Sequence, residues 1–170
     1  MKSGKIDAGE LQALSRLFSY PEQWPGTDDV NRIAGKDDRR MDRGFGENGL
    51  RTLQNEYVRL FINALPEVPC PPYGSFYLEG ALMGESTVRV RNVYLSYGFQ
   101  TDEVADHIAV ELEFLALLTT LSNRDSLQKD YDFLLDHLRH WTPEFFDRVE
   151  ENDETGFFKA VSRYAKNVIL

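Results

Sequence analysis

Three features of the 170-residue chain predict an all-α fold. Apolar residues recur at three- and four-residue spacings in one segment after another. No convincing strand pattern, internal repeat or low-complexity tract interrupts them. Glycines, prolines and short polar residues punctuate the pattern at helical lengths. The expected product is a single-domain globular bundle of about seven or eight helices. A chain of this length buries a core without metals or disulfides. Its one cysteine, Cys70, excludes an internal disulfide framework and fits a reducing compartment.

Taken in order, Asp7 and Glu10 form a plausible capping box ahead of Leu11, Leu14, Leu17 and Phe18, a short helix that stops at Tyr20-Pro21. Residues 27–35 read as a second short helix closed by Gly35. Residues 36–49 mix charges of both signs with three glycines and have no apolar period, so a mobile loop is expected there. Leu50, Leu53, Tyr57, Leu60, Phe61 and Ala64 define a third helix capped near Asn48. Four prolines (Pro66, Pro69, Pro71, Pro72) then stiffen a loop that ends in Tyr73, Phe76 and Tyr77. Those rings either border a groove or cover the core.

Residues 86–98 fit strand and helix locally, but Val90, Val93, Tyr94 and Tyr97 with Gly98 as a terminal cap favour helix. After Thr101-Asp102 comes the most apolar stretch. Its rows Ile108/Leu112/Leu115 and Val110/Phe114/Leu117/Leu121 mark a helix buried on most sides. A long amphipathic helix through Leu127, Tyr131, Leu134, Leu135, Leu138 and Trp141 follows. Thr142 as cap and Pro143 in first position predict a separate helix carrying Phe145, Phe146 and Val149. The last helix carries Phe157, Phe158, Val161, Tyr164, Ala165 and Val168.

A net charge of −9 argues against nucleic-acid binding, which needs clustered Lys and Arg, and favours basic partners. No apolar stretch approaches the ~20 residues needed to span a bilayer, and the N-terminus lacks a secretory apolar run. The expectation is a cytoplasmic protein without membrane insertion. The late acidic run (Glu144, Asp147, Glu150, Glu151, Asp153, Glu154) is opposed locally only by Arg148. It reads as a solvated helical face or as a long-range attractor of a basic peptide.

The start of the apolar helix carries a knot of titratable residues: Glu103, Asp106, His107, Glu111 and Glu113. On the central helix, Glu103, His107 and Glu111 are spaced i, i+4 and i+8 and so stack on one face. A di-iron site would need Glu-x-x-His on two helices, which the chain does not offer; His137 and His140 read as surface groups. Gly-x-Ser-x-Gly, His-Glu-x-x-His, a His-Asp dipeptide and a Gly-rich phosphate loop are all missing. No catalytic residue, metal or cofactor is expected. Two readings stay open: Asp106 caps the central helix while His107 bonds a neighbouring loop, or the carboxylates face a ligand and pair with guanidinium groups.

Four segments in order carry a resemblance: Glu56-Tyr-Val-Arg-Leu-Phe61; Pro71-Pro-Tyr-Gly-Ser-Phe-Tyr77; Glu103-x-x-Asp106-His107 running into Glu111-Leu-Glu-Phe-Leu115; and His137-Leu-Arg-His-Trp-Thr-Pro-Glu-Phe-Phe146. Together they resemble the TorD/DmsD/NarJ family of cytoplasmic redox-enzyme maturation chaperones, over residues 50–168. The family often has proline just before or within Glu-x-x-Asp-His, where this chain has Val104 and Ala105. The resemblance implies a non-enzymatic chaperone that binds the twin-arginine leader or the apo form of a molybdopterin oxidoreductase catalytic subunit and holds it for molybdenum-cofactor insertion. By motif it implies Asp106 and His107 as peptide-binding residues, with Glu103, Tyr77, Ser75 and Tyr57 beside them. Phe76, Tyr77 and Tyr94 are the expected lining for the peptide's apolar part. The alternative is a helical adaptor that binds a mature redox-enzyme subunit without recognising a leader. Either a monomer or a domain-swapped homodimer is compatible, with residues 36–49 or 98–102 as the hinge.

Overall fold

The apolar stretch forms the central helix, and the other elements are arranged around it. A computed structural model describes residues 5–34, 48–121 and 126–170. Among them are eight α-helices and no strand: α1 (Ala8–Leu17), α2 (Thr27–Ala34), α3 (Gly49–Tyr57), α4 (Gly74–Glu79), α5 (Glu85–Ser96), α6 (Ile108–Thr120), α7 (Leu127–Asn152) and α8 (Phe157–Ile169). A π-helical turn, Val58–Ile62, continues α3. The expected loop over residues 36–49 falls outside the described residues except at its end, where Asn48 and Gly49 open α3.

In α6, Ile108, Leu112, Phe114, Leu115 and Leu118 are fully buried. α1 packs on one side of it and α7 on another, while α8 lies against α1, α2 and α7. An aromatic cluster joins these helices: Phe61 meets Tyr57 at 4.9 Å and Phe158 at 5.2 Å, and Phe18 meets Phe145 at 5.6 Å. Rings at such separations add to the burial energy of the core. No described helix is long and apolar enough to cross a membrane.

Local chemistry sets the end of α5 as expected, and at α1 it forms one half of the expected capping box. Asp7 accepts from the backbone N–H groups of Gly9 and Glu10. Glu10 reaches Arg32 on α2 at 2.7 Å, so its side chain serves the α1–α2 pair. Gly98, at φ +70°, ends α5: its N–H donates to Leu95 and that of Phe99 to Tyr94. This is the paired closure that a left-handed residue after a helix allows.

Four expectations are corrected. The central helix starts at Ile108, because residues 102–107 form a turn instead of its first two turns. The third helix ends at Ile62, before Ala64. Gly74–Tyr77 is not loop but the opening of α4. The two helices expected on either side of Thr142-Pro143 are one, α7. Proline inside a helix costs about 3 kcal/mol or more. Here Leu134, Leu138, Trp141, Phe145, Phe146 and Val149 form one buried stripe across it, and packing outweighs that cost. The Thr142 hydroxyl donates back to the Leu138 carbonyl at 2.8 Å and caps nothing.

The acidic run is not a free field. Lys166 bonds Asp147 and Glu150, Arg163 bonds Glu150, and Arg148 bonds Glu144. Two of those three cations come from α8, too distant in sequence for a local reading to find.

Candidate functional site

The site is assembled where the proline-rich segment meets the turn before α6. Proline leaves carbonyls without matching N–H groups, so such a segment pairs only at isolated positions. Here the Ile108 N–H donates to the Pro72 carbonyl and the Gly74 N–H donates to the Asp106 carbonyl, both at 2.9 Å. These bonds make an isolated antiparallel bridge between Tyr73 and His107. Their rings meet edge to face at 5.2 Å. The turn itself is tied by the Thr101 hydroxyl, which accepts from the Glu103 N–H, and by the Glu103 carboxylate, which accepts from the Val104 N–H. These bonds hold the geometry that proline in the family signature would stiffen.

Asp106 and His107 exchange the roles the sequence suggested. His107 caps α6: its Nδ1 accepts from the Ala109 N–H at 3.1 Å. Burial holds His107 below the usual histidine range, although Glu103 and Asp106 pull it the other way. A neutral ring with a free lone pair is what the cap requires. Asp106, fully buried, reaches across to the start of α4 and accepts from the Ser75 N–H at 2.6 Å. Glycine at 74 suits the close junction: a Cβ there would sit 3.0 Å from both His137 and Trp141, tighter than side chains ordinarily pack, and one of those rings would have to give.

Since the helix starts only at Ile108, the stack of Glu103, His107 and Glu111 does not exist. Glu111 points into the core, fully buried, and pairs with Nδ1 of His137 on α7 at 2.8 Å. Burial pushes the Glu111 carboxyl up to about 7, with His137 pulling it back. Burial alone would lower His137, but Glu111 outweighs it and the imidazole lies above its ordinary range. His137 is therefore not the surface group expected; His140 is, exposed beside Asp136. Among the described residues, no three His, Cys, Asp or Glu side chains gather to hold a metal ion.

The outer side of the same junction is a cavity of about 390 Å³. Tyr20, Tyr57, Phe61, Tyr73 and His107 line it together with the carboxylates of Glu103 and Glu113, and among the described residues no Lys or Arg lines it. The Tyr73 hydroxyl approaches Glu103 Oε1 at 3.5 Å. Two carboxylates among aromatic faces suit a planar cation, which they take by charge-assisted hydrogen bonds and by ring stacking.

Of the predicted residues, Glu103, His107 and Tyr57 line this cavity, Tyr57 with its hydroxyl donated to the Phe18 carbonyl. Asp106 and Ser75 lie buried behind it. Phe76 and Tyr77 are elsewhere: Tyr77 stacks on Trp141 at 5.5 Å, and the Arg148 guanidinium covers both rings at about 5.5 Å. Tyr94 is buried and donates its hydroxyl to the Ala105 carbonyl. Sequence reasoning missed Tyr20 and Glu113 as site residues. Glu113 was legible in principle, two positions beyond Glu111 and so on the opposite side of α6. Cys70 is buried, and its thiol is pushed up to about 12 by that burial, so it is not a reactive group.

A family model described as nitrate reductase delta subunit matches residues 30–147. The chain belongs to the TorD/DmsD/NarJ family. Within that family it is 27% identical over 150 residues to the chaperone protein TorD of Vibrio parahaemolyticus, covering 80% of this chain and 65% of that one. It is 27% identical over 159 residues to a probable Tat proofreading chaperone DmsD of Haemophilus influenzae, covering 90% and 73%. The chain thus spans less than two thirds of the length of the first of these relatives. A crystal structure of a putative redox enzyme maturation protein from Archaeoglobus fulgidus superposes with a TM-score of 0.62 at 32% identity, covering 94% of this chain and 93% of that one. These family members carry the names of chaperones and a maturation protein, not of catalysts.

Proposed function

We propose that this protein is a cytoplasmic chaperone for the catalytic subunit of a molybdopterin oxidoreductase. It binds the subunit's twin-arginine leader at the cavity outside the Asp106-His107 junction and holds the apo form until the cofactor is inserted. The observation that carries the reading is the pairing of Glu103 and Glu113 with three tyrosine rings in a cavity whose lining, among the described residues, contains no Lys or Arg. Asp106 and His107 act by shaping it: one anchors α4, the other caps α6. The relatives' names, a chaperone TorD and a Tat proofreading chaperone, support the same reading.

Calorimetric titration with a synthetic twin-arginine leader tests it. We expect saturable binding that weakens roughly tenfold in Glu103→Gln and in Glu113→Gln, the scale of one charge-assisted bond. Both groups are exposed, so the variants unfold within about 0.5 kcal/mol of the parent. Replacing the arginine pair by lysines should also weaken binding, because an ammonium cannot form the bidentate contact. Binding unchanged by both carboxylate substitutions, or no binding of any such leader, overturns the reading. Capture of a mature subunit without its leader would instead favour the adaptor role.

A further inference from the structure

Glu103 lines two cavities, not one. On the other side of the turn 101–105 lies a second, of about 470 Å³, between that turn and α5. Its chemistry differs from the first. Met83, Val88 and Leu95 line it with Phe99, and they are 69%, 54% and 51% exposed. Val88 and Leu95 are seven residues apart and share one face of α5. Behind that face Val90 is buried, and Tyr94, which sequence reasoning expected in an apolar groove, lines this cavity from its buried side. Scattered exposed apolar residues are ordinary, but a row of them along one concave surface marks a binding surface. Asp102, Glu103 and Arg91 also line it, so among the described residues its charges are closer to balance.

The two cavities therefore complement different parts of one ligand. The first, with two carboxylates and no Lys or Arg among its described lining residues, takes guanidinium groups. The second, apolar and closer to charge balance, takes aliphatic side chains. Because Glu103 borders both, a single extended peptide can occupy them across the turn. We propose that the groove between α5 and the turn 101–105 holds the apolar segment that adjoins the basic residues of the bound peptide. This rests on the reading of the first cavity given above. It assigns Met83, Val88 and Leu95 the contact first expected of Phe76 and Tyr77, which Arg148 and Trp141 cover.

Two synthetic probes test it by fluorescence anisotropy. One is a peptide with an arginine pair followed by about ten apolar residues, the length of a secretory apolar run. The other stops after the arginine pair. The double variant Val88→Asp/Leu95→Asp, whose sites are exposed, is expected to bind the long peptide at least tenfold more weakly and the short one as the parent does. A benzophenone placed in the apolar run should crosslink to α5, read by mass spectrometry of the parent protein. Unchanged affinity for the long peptide in the double variant, or crosslinks confined to other helices, overturns the proposal. If Glu103→Gln and Glu113→Gln alter neither peptide while the α5 variant weakens the long one, the first reading fails and the apolar groove stands alone.

Discussion

Inner and outer titratable groups lie within eleven residues of one another at the start of α6, and they do opposite work. Asp106 and Glu111 point inward and are fully buried. Each has one committed partner, the Ser75 N–H and the His137 imidazole. Glu103 and Glu113 point outward and border a cavity lined, among the described residues, by no Lys or Arg. The lesson is that a motif's identity and its contact surface need not coincide. Asp106 belongs to the family signature yet lies fully buried, while Glu113 borders the cavity without belonging to the signature. His107 spans the two sets, with Nδ1 committed to the helix end and its ring bordering the cavity.

The largest effect should come from breaking the inner pair. His137→Ala leaves Glu111 buried without a partner, and a loss of about 3 kcal/mol in a urea titration is expected, at the low end for such pairs because the carboxyl can take up a proton. The pH dependence sharpens this. Glu111, raised to about 7, and His137, also raised, both hold protons more tightly in the folded chain than in the unfolded one. Their contribution is therefore fully present below the unfolded carboxyl range. It declines as pH rises from about 4.5 through neutrality and past the raised histidine value. Glu111→Gln should flatten that decline, seen as a smaller difference between its denaturation midpoints at acid and alkaline pH than in the parent.

Second in size is Asp106→Ala. It removes a 2.6 Å charge-assisted bond and strands the Ser75 N–H in a buried site, for a loss of about 2 kcal/mol. Amide exchange at Ser75 should accelerate more than in α6, since the bond holds the start of α4. Asp106→Asn keeps an acceptor and should recover part of the loss. Equal exchange in α4 and α6 would mean that the carboxylate supports the fold generally and does not hold that one helix end.

How far this division was legible in the sequence follows from the same residues. Periodicity located the helices because burial of Ile108, Leu112, Leu115, Leu134 and Leu138 repeats at helical spacing. It misplaced the start of α6, because Glu103, Asp106 and His107 satisfy helical spacing as well as they satisfy a turn. The deciding bonds come from Pro72, Gly74 and Ser75, some thirty residues upstream. Thr142-Pro143 failed for a related reason: the local signal for a helix start is real, but Phe145, Phe146 and Val149 extend a stripe already buried. Phe76 and Tyr77 were placed in a groove because aromatic rings after prolines are well presented. Nothing nearby in the sequence announces that Arg148 and Trp141 cover them.

The smallest effect, and the one that separates the two sides most cleanly, belongs to His107. Removing its cap in His107→Ala should cost about 1 kcal/mol, the usual value of a helix N-cap. Its pH dependence runs against that of the inner pair. Burial lowers the His107 imidazole, so the folded chain binds its proton less readily than the unfolded one. That contribution is present above the ordinary histidine value and is lost as pH falls from about 6.5 toward the lowered folded value. His107→Asn preserves an acceptor at the helix end but cannot be protonated. Denaturation midpoints between neutral and mildly acid pH should therefore fall less in His107→Asn than in the parent, while Glu111→Gln should diverge from the parent on the alkaline side. If both variants shifted the profile in the same direction, inner and outer groups would be one coupled cluster and the separation drawn between them would fail.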